Sequence, residues 1–254
     1  MPGIGNYNLY LVISEDVCLG KSAFEAAAAA IPGGVDIIQM REKNKPREEL
    51  LDLGKRLAGL CRENNVKFIV NDDPLLAAEC GADGVHLGQD DLRNFSISAA
   101  REIIGKHKII GISTHSCAQV KEANEMDLDY IAYGPVFFTK TKDYFVGIEE
   151  IPELLRIAKK PVVFIGGIDA DNLPELLRLG AKNIAVMRAI LQAKDSAEAG
   201  RRLKGMLKEQ VLGARFWVLR KKDEARRTKH KKRVMKSERQ VGGKSNEDKG
   251  KWRE

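Results

Sequence analysis

Short apolar runs alternate along this chain with segments of helical periodicity, and this alternation limits the possible folds more than any other feature. Stretches such as REELLDLGKRLAGLCREN and IEEIPELLRIAKK repeat apolar residues every three or four positions, as an amphipathic helix does. The intervening runs, rich in Val and Ile, predict strands. These strands are YNLYLVIS from Tyr7, VDIIQM from Val35, KFIVN from Lys67, GVHLG from Gly84, KIIGIS from Lys108, YIAYGP from Tyr130, PVVFIGG from Pro161 and NIAVM from Asn183.

Nearly continuous apolar strands joined by helices indicate a parallel sheet that is buried on both faces. Eight such units in about 210 residues match the lower size range of a (β/α)8 TIM barrel, which is the fold class we predict. The alternative is an open, doubly wound sheet. No GxGxxG motif follows the first strand, and this weakens the alternative.

The charge of the chain is divided unevenly, although its formal net charge is +7. From Gly213 onward Lys and Arg number 16 against 6 Asp and Glu, which leaves 27 basic and 30 acidic residues before that point. This carboxy-terminal segment also lacks apolar periodicity after Leu219. We therefore predict a catalytic barrel over residues 1–212 and a basic, disordered extension over 213–254. A contact between this extension and a polyanion is the alternative to a simply solvated tail, and it is the sole support for a nucleic-acid-binding function.

The cysteines and the apolar runs predict the compartment. Cys18, Cys61, Cys80 and Cys117 form no CxxC pair, which is typical of reduced, buried thiols in a cytoplasmic protein. The longest uncharged apolar run, 26–35, is far shorter than the roughly 20 residues of a membrane span. We expect a cytoplasmic protein with no signal peptide and no membrane contact.

Polar residues follow the predicted strands where a TIM barrel places its working groups. Strand 3 ends in NDD and strand 4 in GQDD, so Asp72 and Asp91 are expected at the same rim, close enough to share one ion. Two carboxylates plus water and substrate phosphate oxygens are typical ligands of Mg²⁺. Arg41, Lys43 and Lys142 carry charges suited to neutralising a diphosphate that the metal also bridges. The second residue of the first doublet, Asp73, precedes a proline and is interpreted as a helix N-cap.

With these residues identified, the chain resembles the thiamine phosphate synthase family from Tyr7 to about Leu207. The resemblance is carried by QMREK, VNDDPLLAAECGADGVHLGQDD, IIGISTHS, YIAYGPVFFTKTK, FIGGI and IAVMRAI, in this order at the predicted strand ends. It implies that hydroxymethylpyrimidine diphosphate loses diphosphate and that the nitrogen of thiazole phosphate takes the freed methylene. The product is thiamine phosphate.

The resemblance also assigns roles to individual residues. Asp72 and Asp91 are implied ligands of Mg²⁺, and Arg41, Lys43, Ser113 and Lys142 are implied catalytic residues. The thiazole phosphate is implied to bind Thr139, Thr141, Gly167 and the backbone at Met187 and Arg188. The full set of implied substrate-binding residues is Gln39, Met40, Arg41, Glu42, Lys43, Asn71, Ser113, Thr139, Lys140, Thr141, Lys142, Gly167, Met187 and Arg188.

The chain departs from the family at Arg188, where many members have a serine that helps to bind the thiazole phosphate. An arginine also binds phosphate, so the role is expected to persist. His86 and His115 are interpreted as hydrogen-bonding wall residues rather than acid–base groups. The alternative activity is that of a related thiazole tautomerase. A tautomerase needs neither a diphosphate site nor a Mg²⁺ site, and the motifs for both sites in this chain therefore favour the synthase. The sequence leaves the oligomeric state open, a homo-oligomer included.

Overall fold

The structure is a computed structural model that describes residues 8–140 and 143–209. Its parallel strands pair in chain order, and the last strand pairs with the first, so the sheet closes into a barrel. The predicted (β/α)8 fold is confirmed. The strands are β1 (Leu9–Ile13), β2 (Ile37–Met40), β3 (Lys67–Asn71), β4 (Gly84–Leu87), β5 (Ile109–Thr114), β6 (Tyr130–Tyr133), β7 (Val162–Ile165) and β8 (Asn183–Val186).

Helices follow the strands and surround the barrel. Several begin at a side-chain cap that satisfies an otherwise unpaired backbone N–H: Ser22 forms a capping box with Glu25, and Ser96 and Ser116 each accept a bond from the third residue beyond them. The helices are α1 (Ala23–Ala30), α2 (Arg47–Glu63), α3 (Pro74–Glu79), α4 (Ile97–Ile104), α5 (Cys117–Asn124), α6 (Ile151–Ile157), α7 (Leu173–Arg178), α8 (Arg188–Leu191) and α9 (196–209).

Most strands contribute to two separate apolar layers because successive side chains point to opposite faces. In β1, Leu9, Leu11 and Ile13 face the helices, whereas Tyr10 and Val12 face the barrel interior. Both faces of the strand are therefore buried, which explains why the strands are continuous apolar runs in the sequence. The interior layer consists of Tyr10, Val12, Ile37, Ile69, Tyr130, Ala132, Val163 and Ala185.

The first strand and the last helix are joined at the amino-terminal end of the barrel. The carboxylate of Asp36 accepts hydrogen bonds from the backbone N–H groups of Asn8 and Leu9 and pairs with the ammonium of Lys204 on α9. Nearby, Gly33 and Gly200 pack backbone against backbone, and a Cβ on Gly33 would lie 2.7 Å from the carbonyl oxygen of Ala197. The barrel is thus closed by its sheet and also by α9.

Among the cysteines, Cys18, Cys61 and Cys80 are buried, as predicted, whereas Cys117 is half-buried. Within residues 8–140 and 143–209, no helix is both long and apolar enough to cross a membrane. The barrel belongs to one compact unit, which ends at Lys208. The predicted disordered extension, 213–254, lies outside the described residues and stays a prediction.

Candidate active site

A cavity of about 850 Å³ opens at the carboxyl ends of the strands. This volume lies in the upper part of the range that small-molecule sites occupy, about 300–1,000 Å³. The cavity brings together residues that the sequence places on separate strands, which is the arrangement expected of a TIM-barrel active site. The predicted site residues that line it are Gln39, Arg41, Lys43, Asn71, Asp72, Asp91, Ser113, Thr139, Lys140, Gly167, Met187 and Arg188.

The other predicted site residues do not join this lining or lie outside the described residues. The side chain of Met40 is buried in the outer apolar layer, where its Cε approaches α2 at Gly54. The carboxylate of Glu42 accepts a hydrogen bond from the backbone N–H of Glu15 at 2.7 Å. Both positions alternate with Gln39 and Arg41, so their side chains take the opposite face. Thr141 and Lys142 lie outside the described residues.

Asp72 leaves the end of β3 in a conformation that directs it into the cavity. Its φ of +69° is left-handed, which is uncommon for a residue with a side chain and is tolerated best by Asn and Asp. The backbone N–H of Asp72 donates to the carbonyl oxygen of His86 on β4 at 2.7 Å, which holds the turn in place. Such strain persists only where surrounding contacts enforce it, and it is frequent at functional sites.

The carboxyl groups of Asp72 and Asp91 lie together, and this juxtaposition changes their electrostatics. Burial, reinforced by a hydrogen bond and charge repulsion from Asp91, raises the pKa of Asp72 to about 7. The charges of Lys43 and Arg41 oppose this change and lower the pKa. The rim therefore holds a close acidic pair within the field of two cations, a combination that can bind a metal ion and an anion side by side.

The two residues of each doublet differ in what they contact, and Asp73 and Asp91 each accept a hydrogen bond that stabilises the local backbone. Asp73 caps α3, since its side chain accepts from the N–H of Leu76 and Pro74 occupies the first turn, as predicted. Asp91 accepts from the backbone N–H of Gly88 at 2.9 Å, which folds the loop after β4 and fixes the carboxylate. Asp90 borders the cavity but is exposed to solvent.

The described residues contain no group of three or more His, Cys, Asp or Glu side chains arranged to hold a metal ion. A cation at the Asp72–Asp91 pair would therefore take its remaining ligands from water or substrate. This suits Mg²⁺, which keeps several waters and binds through one or two carboxylates together with phosphate oxygens. The donor set fits that ion.

The opposite side of the cavity is bordered by the loops after β7 and β8. Gly166 and Gly167 have φ values of +103° and +66°, a region that favours glycine. A Cβ on Gly166 would lie 2.4 Å from Pro135, and one on Gly167 would lie 2.3 Å from the carbonyl oxygen of Phe138. Only glycine therefore fits this turn, which packs against the loop after β6. Met187 and Arg188, at the start of α8, line the cavity next to it.

The cavity floor contains three polar residues that the sequence analysis did not assign to catalysis. Tyr10, Tyr130 and His86 are buried and hydrogen-bonded to one another and to the predicted site residues Gln39 and Ser113. Burial, with a smaller effect from Arg41, lowers the pKa of His86 to about 4 against the charge of Asp91, so the ring is neutral near pH 7. The sequence signal that could have identified Tyr10 is strand alternation. Tyr10 is two residues from Val12, so the two side chains share the inner face of β1.

The other histidine that lines the cavity, His115, stabilises a loop. His115 contacts the carbonyl oxygen of Gly134 through Nδ1, and its backbone N–H donates to Gln119. Its ring meets Tyr144 edge to face, with centroids 5.8 Å apart. The interpretation of His86 and His115 as wall residues agrees with these contacts.

Comparison with known proteins relates this geometry to a family. Residues 9–190 match the sequence profile of the family described as thiamine monophosphate synthase. The thiamine-phosphate synthase of Persephonella marina is 40% identical over 202 residues, which are 79% of this chain and 95% of that protein. The protein of the same name from Haloquadratum walsbyi is 40% identical over 201 residues, which are 77% of this chain and 89% of that protein.

Solved structures support the same relationship. Thiamine phosphate pyrophosphorylase from Pyrococcus furiosus superposes with a TM-score of 0.73 at 35% identity, covering 81% of this chain and 98% of that one. The 3-hexulose-6-phosphate synthase of Salmonella typhimurium has a TM-score of 0.58 at 19% identity, covering 80% of this chain and 99% of that one. The second likeness supports the barrel fold alone.

Proposed function

The chain belongs to the thiamine monophosphate synthase family and is a transferase that forms thiamine phosphate, and we propose that the rim of its barrel drives the departure of diphosphate with the help of Mg²⁺. In the reaction, the bond between the methylene carbon of hydroxymethylpyrimidine diphosphate and a diphosphate oxygen breaks, and the electron pair leaves with diphosphate. The lone pair of the thiazole nitrogen then forms the new C–N bond. Thiamine phosphate and diphosphate are the products.

The observation that carries this proposal is the placement of the Asp72–Asp91 pair beside Arg41 and Lys43. Bound Mg²⁺ would supply Lewis-acid stabilisation of the departing diphosphate oxygens. Asp72 and Asp91 would hold the ion, while Arg41 presents a planar fork and Lys43 a point charge to the same anion. The predicted leaving-group contact of Lys142 lies outside the described residues and is part of the proposal.

This reaction depends more on electrostatic stabilisation of the leaving group than on a general base. A methylene on an electron-rich aminopyrimidine develops cationic character once its leaving group is neutralised, so positioned charges lower the barrier. His86 is buried and its pKa is about 4, which makes it a poor general acid or base near neutral pH. The floor residues are thus better suited to binding the neutral heterocycle, and Gln39, Asn71 and Ser113 line the cavity there.

We place the thiazole phosphate on the opposite side, at the Gly166–Gly167 turn and the start of α8. The loops after strands 7 and 8 frequently form phosphate sites in TIM barrels, with backbone N–H groups as donors. Arg188 adds a cation to this part of the cavity, and Thr139 and Lys140 approach from the loop after β6. The two anionic groups of the substrates would then lie on different walls, with the reacting atoms between them.

A coupled assay tests the proposed function. Full-length protein is incubated with both substrates and Mg²⁺, and thiamine phosphate and diphosphate are quantified. We expect both products in equal amounts, a requirement for Mg²⁺, and little effect of the matched variant Asp90→Asn. Folded protein that gave no product with either the plain or the carboxylated thiazole phosphate would contradict the assignment and favour a tautomerase.

A cytoplasmic location is part of the proposal and is supported by the free thiols.

A further inference from the structure

A continuous series of hydrogen bonds crosses the floor of the cavity from β2 to β5. The Nε2 of Gln39 donates to Oη of Tyr10 at 2.8 Å, and the hydroxyl oxygens of Tyr10 and Tyr130 are 3.0 Å apart. Oη of Tyr130 lies 2.8 Å from Nδ1 of His86, and Nε2 of His86 lies 3.0 Å from Oγ of Ser113. We call these five residues the floor chain. All five line the cavity, but only the two ends, Gln39 and Ser113, are predicted to bind substrate, and the middle three have been given no individual role.

The direction of the protons along the floor chain follows from counting hydrogens. Each hydroxyl carries one proton, and a neutral imidazole carries one as well. Because Gln39 donates to Tyr10, the Tyr10 proton is available to Tyr130. Tyr130 then donates to Nδ1 of His86, and the remaining ring proton, on Nε2, is donated to Ser113. If Tyr130 donated to Tyr10 instead, the Tyr10 proton would have no acceptor within the floor chain, which is costly for a buried hydroxyl.

The barrel is built to accommodate this arrangement. Tyr130 and Tyr10 are almost fully buried, and their side chains extend across the interior. Gly111 on β5 is opposite Tyr130, and a Cβ there would lie 2.0 Å from the tyrosine ring. Burial also raises the pKa of both tyrosines, which keeps their hydroxyl protons in place. The glycine therefore makes room for a ring whose hydroxyl connects two distant strands.

We propose that Tyr10, Tyr130 and His86 are positioning residues that fix the hydroxyl of Ser113 as a hydrogen-bond donor to a ring nitrogen of the aminopyrimidine. Since Ser113 accepts from His86, its own proton is the one left to point into the cavity. The identity of the acceptor rests on the proposed function. Neutral groups lie at the floor and cations at the rim, so the heterocycle is the part of the substrate that reaches Ser113, and the diphosphate stays near Arg41 and Lys43.

The tautomer of His86 tests the direction of the chain without any substrate. Long-range ¹H–¹⁵N spectra of the full-length, ¹⁵N-labelled protein report which ring nitrogen carries the proton, and the His86→Gln variant identifies the signals. We expect a neutral ring at pH 7 with its proton on Nε2. A proton on Nδ1 would overturn the inference, because the whole chain would then run in reverse, with Gln39 presenting its carbonyl oxygen to Tyr10. A doubly protonated ring would overturn it as well.

Kinetics of a matched pair of tyrosine variants test the functional consequence. Tyr130→Phe should lower kcat/KM for the pyrimidine diphosphate about three- to tenfold, the value of one hydrogen bond, and leave the KM for thiazole phosphate unchanged. Its His86 spectrum should show both tautomers. Tyr133→Phe is the control, because Tyr133 is also buried on β6 but its hydroxyl donates to Glu150, away from the floor. Equal kinetics and an unchanged His86 tautomer in Tyr130→Phe would refute the positioning role.

Substrate analogues test the acceptor. Two analogues of the pyrimidine diphosphate each have one ring nitrogen replaced by C–H. With the wild type, we expect a lower kcat/KM for the analogue that lacks the nitrogen bound by Ser113. With Ser113→Ala, the same analogue should cause little further loss. If neither analogue distinguishes the two proteins, the proposed acceptor is wrong. Failure of the proposed function would look different: no thiamine phosphate would form at all, while the His86 spectrum would still report the direction of the chain.

Discussion

Replacing Asp72 by Asn should make the metal-free protein more stable and abolish most of its activity. The substitution keeps the shape of the side chain, replaces one carboxylate oxygen by an NH2 group that can donate to Asp91, and removes the charge. It adds no backbone strain, because Asn tolerates the left-handed conformation of this position at φ +69°. What changes is the energetic cost of keeping two carboxylates together in a half-buried site.

The size of the effect follows from the pKa of Asp72, which rises from an ordinary value of 3.8 to about 7. A tenfold change in proton affinity corresponds to about 1.4 kcal/mol, so the full difference would be about 4 kcal/mol. Because the carboxyl is only half-buried, water screens part of it, and we expect about 2 kcal/mol. The folded state binds the proton more tightly than the unfolded state, so this destabilisation is fully present above pH 7 and disappears as the pH falls towards 4.

Urea unfolding of the full-length protein at pH 8 and pH 4.5, with a chelator present, measures this difference. We expect the free energy of unfolding of Asp72→Asn to exceed that of the wild type by about 2 kcal/mol at pH 8 and by much less at pH 4.5. Added Mg²⁺ should stabilise the wild type, by about 2.7 kcal/mol at a hundred times its Kd, and have little effect on the variant. Turnover at saturating Mg²⁺ should fall by orders of magnitude.

The control is Asp90→Asn, which removes the same charge from an exposed neighbour of Asp91 and should change neither stability nor turnover. The reasoning fails if Asp72→Asn is as stable as the wild type, or less stable, at pH 8 without metal. Near-normal turnover of both Asp72→Asn and Asp91→Asn would refute the assignment of the metal site separately.

Three further predictions address other parts of the chain. Lys142→Ala should slow diphosphate departure in single-turnover measurements more than it weakens thiazole phosphate binding; a loss of thiazole affinity alone would place Lys142 on the other substrate. Gly166→Ala should destabilise the protein by roughly 3 kcal/mol in urea unfolding and raise the KM for thiazole phosphate, because its Cβ would lie 2.4 Å from Pro135; Gly59→Ala on α2, where a Cβ meets nothing within 4 Å, is the control. Deleting Phe216–Glu254 should leave turnover and Tm nearly unchanged but remove retention on heparin at low salt; a large fall in Tm or unchanged retention would contradict the predicted division of charge.

The fold was predictable because its signal is local. A strand that is buried on both faces has a nearly continuous apolar sequence. The run KFIVN accordingly coincides with β3, Lys67–Asn71. The N-cap role of Asp73 was equally readable, since a carboxylate followed by proline indicates the start of a helix. Chain order then determines which strands pair, because sequential βα units place their strands side by side.

The parts of the site that sequence did not reveal depend on contacts between distant residues. Nothing near Tyr10 in the sequence indicates that its hydroxyl meets that of Tyr130, which is 120 residues away. The left-handed turn at Asp72 likewise depends on a bond to His86 on the next strand. The inclusion of Met40 and Glu42 in the predicted site treated QMREK as one unit, whereas the alternation that begins in β2 brings Gln39, Arg41 and Lys43 to the cavity.

The closure of the barrel by Lys204 and β8 has a consequence for synthesis on the ribosome. Translation is vectorial, so β1 emerges first, yet its second neighbour, β8, is translated more than 170 residues later. During that interval β1 has an unpaired edge, and the carboxylate of Asp36 lacks the cation of α9. A nascent chain cannot complete a native barrel step by step and must hold an open sheet until its last quarter emerges. We therefore expect the yield of folded enzyme in cells to rise when that open edge is protected during synthesis.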